Sequence, residues 1–240
     1  MDVVRRGPER VRISPWRGDA SVAHLVPIGG SLPLSPKMVR HCCTVLEGRG
    51  YRSVLTGALA RREQQAFLDD GFVVHEQLHL LAHELTPLPE PPAVPSGVRL
   101  RRGRRLDRRR TLSVDRLAFP PFWQLDATGL EEAVRATPQA RYRVATARHV
   151  VGYAVGGRAG PRGYLQRLAV DPAVAGRGVG TELVLDALRW MQSRRVGRVV
   201  VNTQVANERA LALYLRLGFR LQASGLAVLT RPLADHQPAR

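Results

Sequence analysis

The densest chemical signal in the chain is LAVDPAVAGRGVGTELV, Leu168 to Val184, where Gly176, Gly178 and Gly180 alternate just ahead of an amphipathic helical pattern. Glycine permits backbone conformations in which successive N–H groups converge on one point, and at a helix N-terminus that point attracts phosphate. The run Gly176, Arg177, Gly178, Val179, Gly180, Thr181 therefore reads as a pyrophosphate cradle. A Rossmann fingerprint fits poorly, because its sixth position needs a glycine and here holds Thr181, and no acidic residue ends the strand near Val201. The second signal is NERALALYLRLGF, Asn207 to Phe219. On a helix Ala210, Leu213, Tyr214 and Leu217 share a face, so the phenol is either a core aromatic or a proton donor beside an apolar wall. Asn207 suits a helix N-cap, with its amide still able to reach a ligand.

These residues need elements to position them. Sequence patterning predicts a short strand (VRL) running into a basic segment, a helix over TGLEEAVRA, and strands RYRVATA and HVVGYAV. A glycine-rich turn, GGRAGPRG, then joins HVVGYAV to the strand YLQRLAV as a hairpin. A helix from Thr181 to Arg194, the strand RVVVNT, a helix from about Glu208 to Leu217 and a strand near Leu226 to Thr230 close this part. Strands and helices in that order imply an α/β fold with a mixed central sheet. Upstream, TPLPEPPAVPSG concentrates proline and reads as a linker. The expected organisation is a first unit over 1–85, a linker over 86–97 and a second unit over 98–240.

Composition bounds the function. The 240 residues can fill one large core or two small ones, and 44% hydrophobic with 24% charged residues is the balance of a folded globular protein. No apolar run reaches the roughly 18 residues of a membrane span, and no signal-peptide stretch follows the first arginines, so a cytoplasmic protein without a membrane partner is expected. The cysteines are the adjacent pair Cys42 and Cys43, a spacing that suits neither a disulfide framework nor zinc, and no metal is expected. The formal charge is +17, and Lys37 is the only lysine, so nearly all the cations are arginines. GC-rich codons or phosphate and carboxylate partners would both give that bias. The arginines from Arg99 to Arg110 read first as a solvated face, with nucleic acid the weaker alternative.

RLAVDPAVAGRGVGTEL followed by NERALALYLRLGF resembles the GNAT superfamily of acyl-CoA N-acyltransferases, and the layout is similar to the bacterial ribosomal-protein alanine N-acetyltransferases. The resemblance covers about Val98 to Leu233. It implies acetyl-CoA as co-substrate and transfer of an acetyl group to an amine of a protein or a small molecule. By the same resemblance Leu168, Ala169 and Val170 would hold the pantetheine arm as an added strand. The loop Gly176 to Thr181 would bind pyrophosphate, Asn207 would contact the arm, and Tyr214 would stand near the sulfur as general acid. A strand-end N–H near Val170 would steady the developing oxyanion. Two positions depart from the family pattern: Ala175 replaces the usual arginine or glutamine, and Asn202 stands where those enzymes carry a glutamate base. The segment DRLAFPPFWQLD places Phe119, Phe122 and Trp123 where such enzymes line the acceptor pocket, although a hydrophobic plug over the sheet would look the same. Asp126, Glu131 and Glu132 read as a solvated helix face rather than a base.

The first unit repeats the second in outline. Pairing Gly71-Phe72 with Gly218-Phe219 gives an offset of 147, which also pairs Val54 with Val201 and Phe67 with Tyr214. Strand, helix, strand, helix and strand recur in the same order, so a degenerate half-GNAT repeat is expected to precede the second unit. Its loop GGSLPLS lacks alternating glycines and Phe67 lacks a hydroxyl, which implies a structural copy that binds no acyl-CoA. Such a tandem resembles the layout of mycothiol synthase. The rival expectation is a silent GNAT-fold module that binds RNA or an acidic partner.

Overall fold

The computed structural model describes residues 2–29, 33–85, 87–90 and 97–233. Residues 86 and 91–96 of the proline-rich linker and residues 30–32 of GGSLPLS lie outside the described residues. The chain runs β1 (Asp2–Arg6), β2 (Glu9–Trp16), β3 (Asp19–Pro27), α1 (Pro36–Gly48), β4 (Ser53–Thr56), β5 (Leu59–Ala60), α2 (Arg61–Leu68) and β6 (Val73–His83). It continues with β7 (Arg99–Arg102), α3 (Arg108–Ala118), α4 (Ala127–Arg135), β8 (Gln139–Thr146), β9 (Val150–Ala159) and β10 (Arg162–Val170). The remainder is α5 (Val179–Ser193), β11 (Arg198–Gln204), α6 (Glu208–Arg216), β12 (Arg220–Leu221) and β13 (Leu226–Pro232). Among the described residues no helix is long and apolar enough to cross a membrane.

Two compact units form, and they do not follow the expected cut between 85 and 98. One comprises described residues 2–80, 204–206 and 223–233; the other comprises 81–203 and 207–222. The last strand, expected to close the second unit, instead joins the first, where β13 pairs antiparallel with β4, β5 and β6. Its Ala227 and Leu229 belong to the core of that unit, with Leu25, Met38, Leu46 and Phe67. Pairing partners, and not distance along the chain, decide which core a strand joins.

In the first unit β1, β2 and β3 form an antiparallel meander. The alternation that buries Val11 and Ile13 is there in ERVRISPW, but charged residues sit between the apolar ones and hide it. The helix α1 starts where Ser35 Oγ accepts the Met38 N–H at 3.2 Å and Pro36 fixes the first turn. It returns the chain to β4, parallel to β3.

The second unit is a mixed sheet in the order β11-β10-β9-β8-β7, in which β10 and β11 are parallel and the other pairs antiparallel. One face carries α5, whose Leu183, Leu188 and Met191 pack against Ala154, Leu165 and Val199. The other carries α3 and α4, through Val114 and Leu130 against Val144, Tyr153 and Val155. Each such fully buried side chain contributes about 1.5–3 kcal/mol. The expected turn at Gly156 to Gly163 is mostly strand, since β9 runs to Ala159 and β10 starts at Arg162. Gly156 serves packing: a Cβ there would stand 3.1 Å from Met191 Cε. The basic run after β7 also differs from expectation, because Arg108–Ala118 is the helix α3.

The repeat is visible at the level of single contacts. Phe67 meets Phe72 edge-on at 5.1 Å, and Tyr214 meets Phe219 at 5.5 Å. Between the members of each pair stands a glycine in the left-handed region, Gly71 at φ 81° and Gly218 at φ 86°. The Phe72 N–H donates to Phe67 O at 3.1 Å and the Phe219 N–H to Tyr214 O at 3.0 Å.

Candidate functional site

The site is assembled at the N-terminus of α5. The Asp171 carboxylate accepts the Ala173 N–H at 2.9 Å, and with Pro172 it starts a 3-10 turn over Pro172–Val174. Gly176 and Gly178 then adopt φ of 80° and 81°, where a side chain would be strained. Gly178 is the N-cap of α5 and accepts the Glu182 N–H at 3.0 Å, which leaves the N–H groups of the first turn without helical partners. Gly180 is different: it lies within the helix, and a Cβ there would make an ordinary contact 3.4 Å from Leu213 Cδ2.

Beside this turn the strand β10 has a free edge. Its parallel pairing with β11 covers only Arg162 to Tyr164, matched with Arg198 to Val200. Beyond Tyr164 the two strands diverge, while pairing with β9 continues to Val170 opposite Gly152 after a bulge between Leu165 and Arg167. Leu168, Ala169 and Val170 thus present main-chain groups on the β11 side that no strand satisfies.

A groove of about 520 Å³ joins these parts. Leu168, Ala169 and Val170 line it, together with Gly176, Arg177, Gly178, Val179, Gly180 and Thr181. Asn207, Ala210 and Leu213 of α6 form another wall, and Leu117, Ala118 and Phe119 reach it from α3. Arg177, Arg209 and Arg216 also line it, and no carboxylate does. Asn207 caps α6, its Oδ1 accepting the Ala210 N–H at 3.0 Å, so its amide N–H groups are left for the groove.

Tyr214 lies off the lining of the groove. It is buried in the core of the second unit, behind Leu213, against Phe219. Burial pushes its phenol well above the ordinary range and the Arg167 charge pulls only partly the other way, so the hydroxyl keeps its proton at neutral pH. Phe122 and Trp123 are likewise outside the groove lining, packed edge-on at 5.1 Å, so of the three aromatic residues only Phe119 reaches the groove.

Sequence patterning overlooked the group that holds this aromatic segment. Asp115 is fully buried, and its carboxylate accepts from Arg167 Nε and Nη2 at 2.8 Å each, from the Leu125 N–H at 2.7 Å and from the Tyr153 hydroxyl at 2.5 Å. Arg167 also donates to Trp123 O at 2.7 Å and stacks over Phe119, its guanidinium carbon 3.5 Å from the ring centre. An isolated Asp in a basic stretch and an Arg within a strand carry no local signal; only the alternation of RLAV, which turns Arg167 and Ala169 to one face, hinted at it. Two other carboxylates of the region are engaged elsewhere. Asp126 caps α4 by accepting the Gly129 N–H at 2.7 Å, and Glu131 pairs with Arg135 at 2.7 Å. Asn202 is exposed on β11, and an amide takes up no proton there.

Residues 110–219 match the model of the Acetyltransferase (GNAT) family. The mycothiol acetyltransferase of Thermobispora bispora is 32% identical over 150 residues, covering 56% of this chain and 50% of that protein. N-alpha-acetyltransferase 30 of Schizosaccharomyces pombe is 40% identical over 58 residues, covering 24% of this chain and 39% of that one. The chain thus spans no more than about half the length of these relatives. A tandem GNAT protein from the clavulanic acid biosynthesis pathway has the same fold over 99% of this chain and 83% of its own, with a TM-score of 0.70 at 16% identity. With the glycine turn, the splayed β10 and β11 strands and the two-part layout in place, the chain has the fold of the tandem GNAT protein, and its residues 110–219 are similar to the GNAT acetyltransferase family.

Proposed function

We propose that the chain transfers an acetyl group from acetyl-CoA to a primary amine of a protein or a small molecule. The observation that carries this reading is the groove in which the open edge of β10, the free N–H groups of α5 and the cap residue Asn207 share one surface without a carboxylate. An anionic, strand-like ligand fits that surface: the first turn of α5 with Arg177 suits its phosphates, and Leu168–Val170 suit its amides. The bound thioester supplies an acetyl group activated toward an amine. The residues of the chain orient it, exclude water and manage protons.

We propose Tyr214, which follows Leu213 of the groove wall in sequence, as the donor of a proton to the departing thiolate; its ring lies outside the groove lining and burial raises its phenol, which makes it a weaker acid than an exposed tyrosine. The groove offers no acidic or imidazole side chain as base. The acceptor must then arrive as the free amine, and kcat/KM should rise about tenfold per pH unit up to the acceptor's own pKa. A plateau set by an enzyme group near pH 6 to 7 would contradict this assignment.

The names of the two relatives point to two acceptor classes, the alpha-amine of a protein and a small molecule of the mycothiol kind. Thermal denaturation with acetyl-CoA tests the cofactor: ligand at about 100 times its Kd adds about 2.7 kcal/mol. The stabilisation should vanish in the variant Gly178→Glu with Gly180→Glu. Release of free CoA thiol with either amine class, reduced on the order of 100-fold in kcat by Tyr214→Phe, would then establish turnover. Ligand binding without thiol release would leave a silent module.

A further inference from the structure

A second cavity in the same unit, of about 400 Å³, is lined by Arg102, Arg104, Arg105, Arg108, Arg141 and Arg143, and by no carboxylate. It shares no lining residue with the coenzyme groove. Trp190, which lines it, lies 11 residues along α5 from Val179, about 16 Å at the helical rise.

Charge in this cavity is poorly balanced. Asp186 serves both Arg141, at 2.8 and 3.0 Å, and Arg143, at 3.1 Å. Glu131 reaches Arg108 only at 3.7 Å, being held closer by Arg135 at 2.7 Å. Among the described residues the side chains of Arg102, Arg104 and Arg105 form no ion pair within 4.0 Å, and the nearby Asp107 carboxylate is held by Arg101 at 2.6 Å and by the Arg104 main-chain N–H at 2.7 Å. The Nε of Arg143 is buried and makes no hydrogen bond, which destabilises the fold unless something accepts from it. Leu130, Val134, Tyr142 and Trp190 also line the cavity, and the Arg141 guanidinium carbon stands 6.0 Å from the Trp190 ring centre.

We infer that this cavity binds a small anion carrying two or more phosphate groups. Guanidinium forks match phosphate oxygens two at a time, and converging forks favour a compact polyanion. The volume is that of a small-molecule site, and the concave shape does not suit an extended nucleic-acid strand.

Inorganic pyrophosphate and ADP are the probes, titrated by calorimetry at 0.15 M salt into the full chain. Four proteins are compared: the unaltered chain, Arg102→Gln with Arg105→Gln, Gly178→Glu with Gly180→Glu, and Arg61→Gln with Arg62→Gln. Arg61 and Arg62 are exposed in the first unit, so the last variant removes the same charge elsewhere. Up to two sites are expected, the phosphate cradle of the groove and the cavity; the cavity site, the one that remains in the glycine variant, is weakened at least tenfold by the cavity variant and changed less than twofold by the Arg61/Arg62 variant. Tighter binding of ADP than of pyrophosphate would assign an organic phosphate, and equal binding an inorganic one. The inference is overturned by no binding, by equal weakening in the Arg61/Arg62 variant, which would be the general field of a basic protein, or by loss in the glycine variant, which would place the anion in the coenzyme groove. Because Arg102 and Arg105 are exposed and unpaired, their replacement leaves the fold intact, and a matching melting curve verifies this.

Discussion

Asp115 and Arg167 show how much a single buried pair organises here. The carboxylate has no exposure and the guanidinium side chain 12%, so the pair is secured by hydrogen bonds on both sides rather than by solvent. Removing one partner strands the other: Arg167→Met should destabilise the chain by about 3–5 kcal/mol in urea melts, and Asp115→Asn together with Arg167→Met by less than the single change. An additive result would mean that the two do not act as a unit. His24 makes a different kind of prediction. Burial and the neighbouring Arg12 and Arg17 charges lower its pKa to about 4 from 6.5. The unfolded chain takes up a proton near pH 6.5 that the folded imidazole refuses until about pH 4, so stability is full above pH 6.5 and falls as the pH drops toward 4. The loss is at most about 3 kcal/mol, and His24→Gln should flatten it in melts between pH 7 and 4.

At the scale of the element, the turn before α5 shows which glycines the backbone itself requires. Gly176 and Gly178 have positive φ, and Gly180 does not. Gly178→Ala should therefore lower stability by about 1 kcal/mol or more even without ligand, whereas Gly180→Ala should leave stability nearly unchanged and affect only the groove. Equal effects of the two substitutions on the ligand-free melting temperature would show that conformation is not what distinguishes them. The divergence of β10 and β11 has an equally local origin. A bulge between Leu165 and Arg167 re-aims the strand where pairing with β11 ends.

At the scale of the molecule, the chain returns to its beginning. The strand β13 sits between β4 and β6 in the sheet of the first unit, and Leu229 is fully buried there. Deleting the chain from Ala223 onward should unfold that unit, because it leaves β4, β5 and β6 without their β13 ladder and a core without Leu229. Cys42 and Cys43 provide the readout. Both are buried in α1 and free, and burial raises their thiols to about 12 and 11. In the full chain iodoacetamide at pH 8 should react slowly with them, and in the truncated chain at the rate of unfolded thiols. Slow labelling of the truncated protein would show that the first unit closes without its last strand.

Much of this was legible in the sequence because it depends on neighbours along the chain. The alternating glycines before an amphipathic run, the Asn207 cap, the helix at Glu208 and the Phe67 and Tyr214 correspondence are local patterns that recur in the structure. The mixed α/β sheet of GNAT type, with a partial repeat before it, follows from their order. What only the tertiary structure decided are contacts between residues far apart in sequence. Asp115 finds Arg167, β13 finds β4, and Arg141 finds Asp186 across separations of 52, 176 and 45 residues, taking Val54 and Thr230 for the strand pair. The burial of Tyr214 behind Leu213 belongs to the same class. A lone charged residue or a short apolar strand has no partner written beside it, and which partner it takes is fixed by how the sheet closes and which charges must be neutralised once water is excluded.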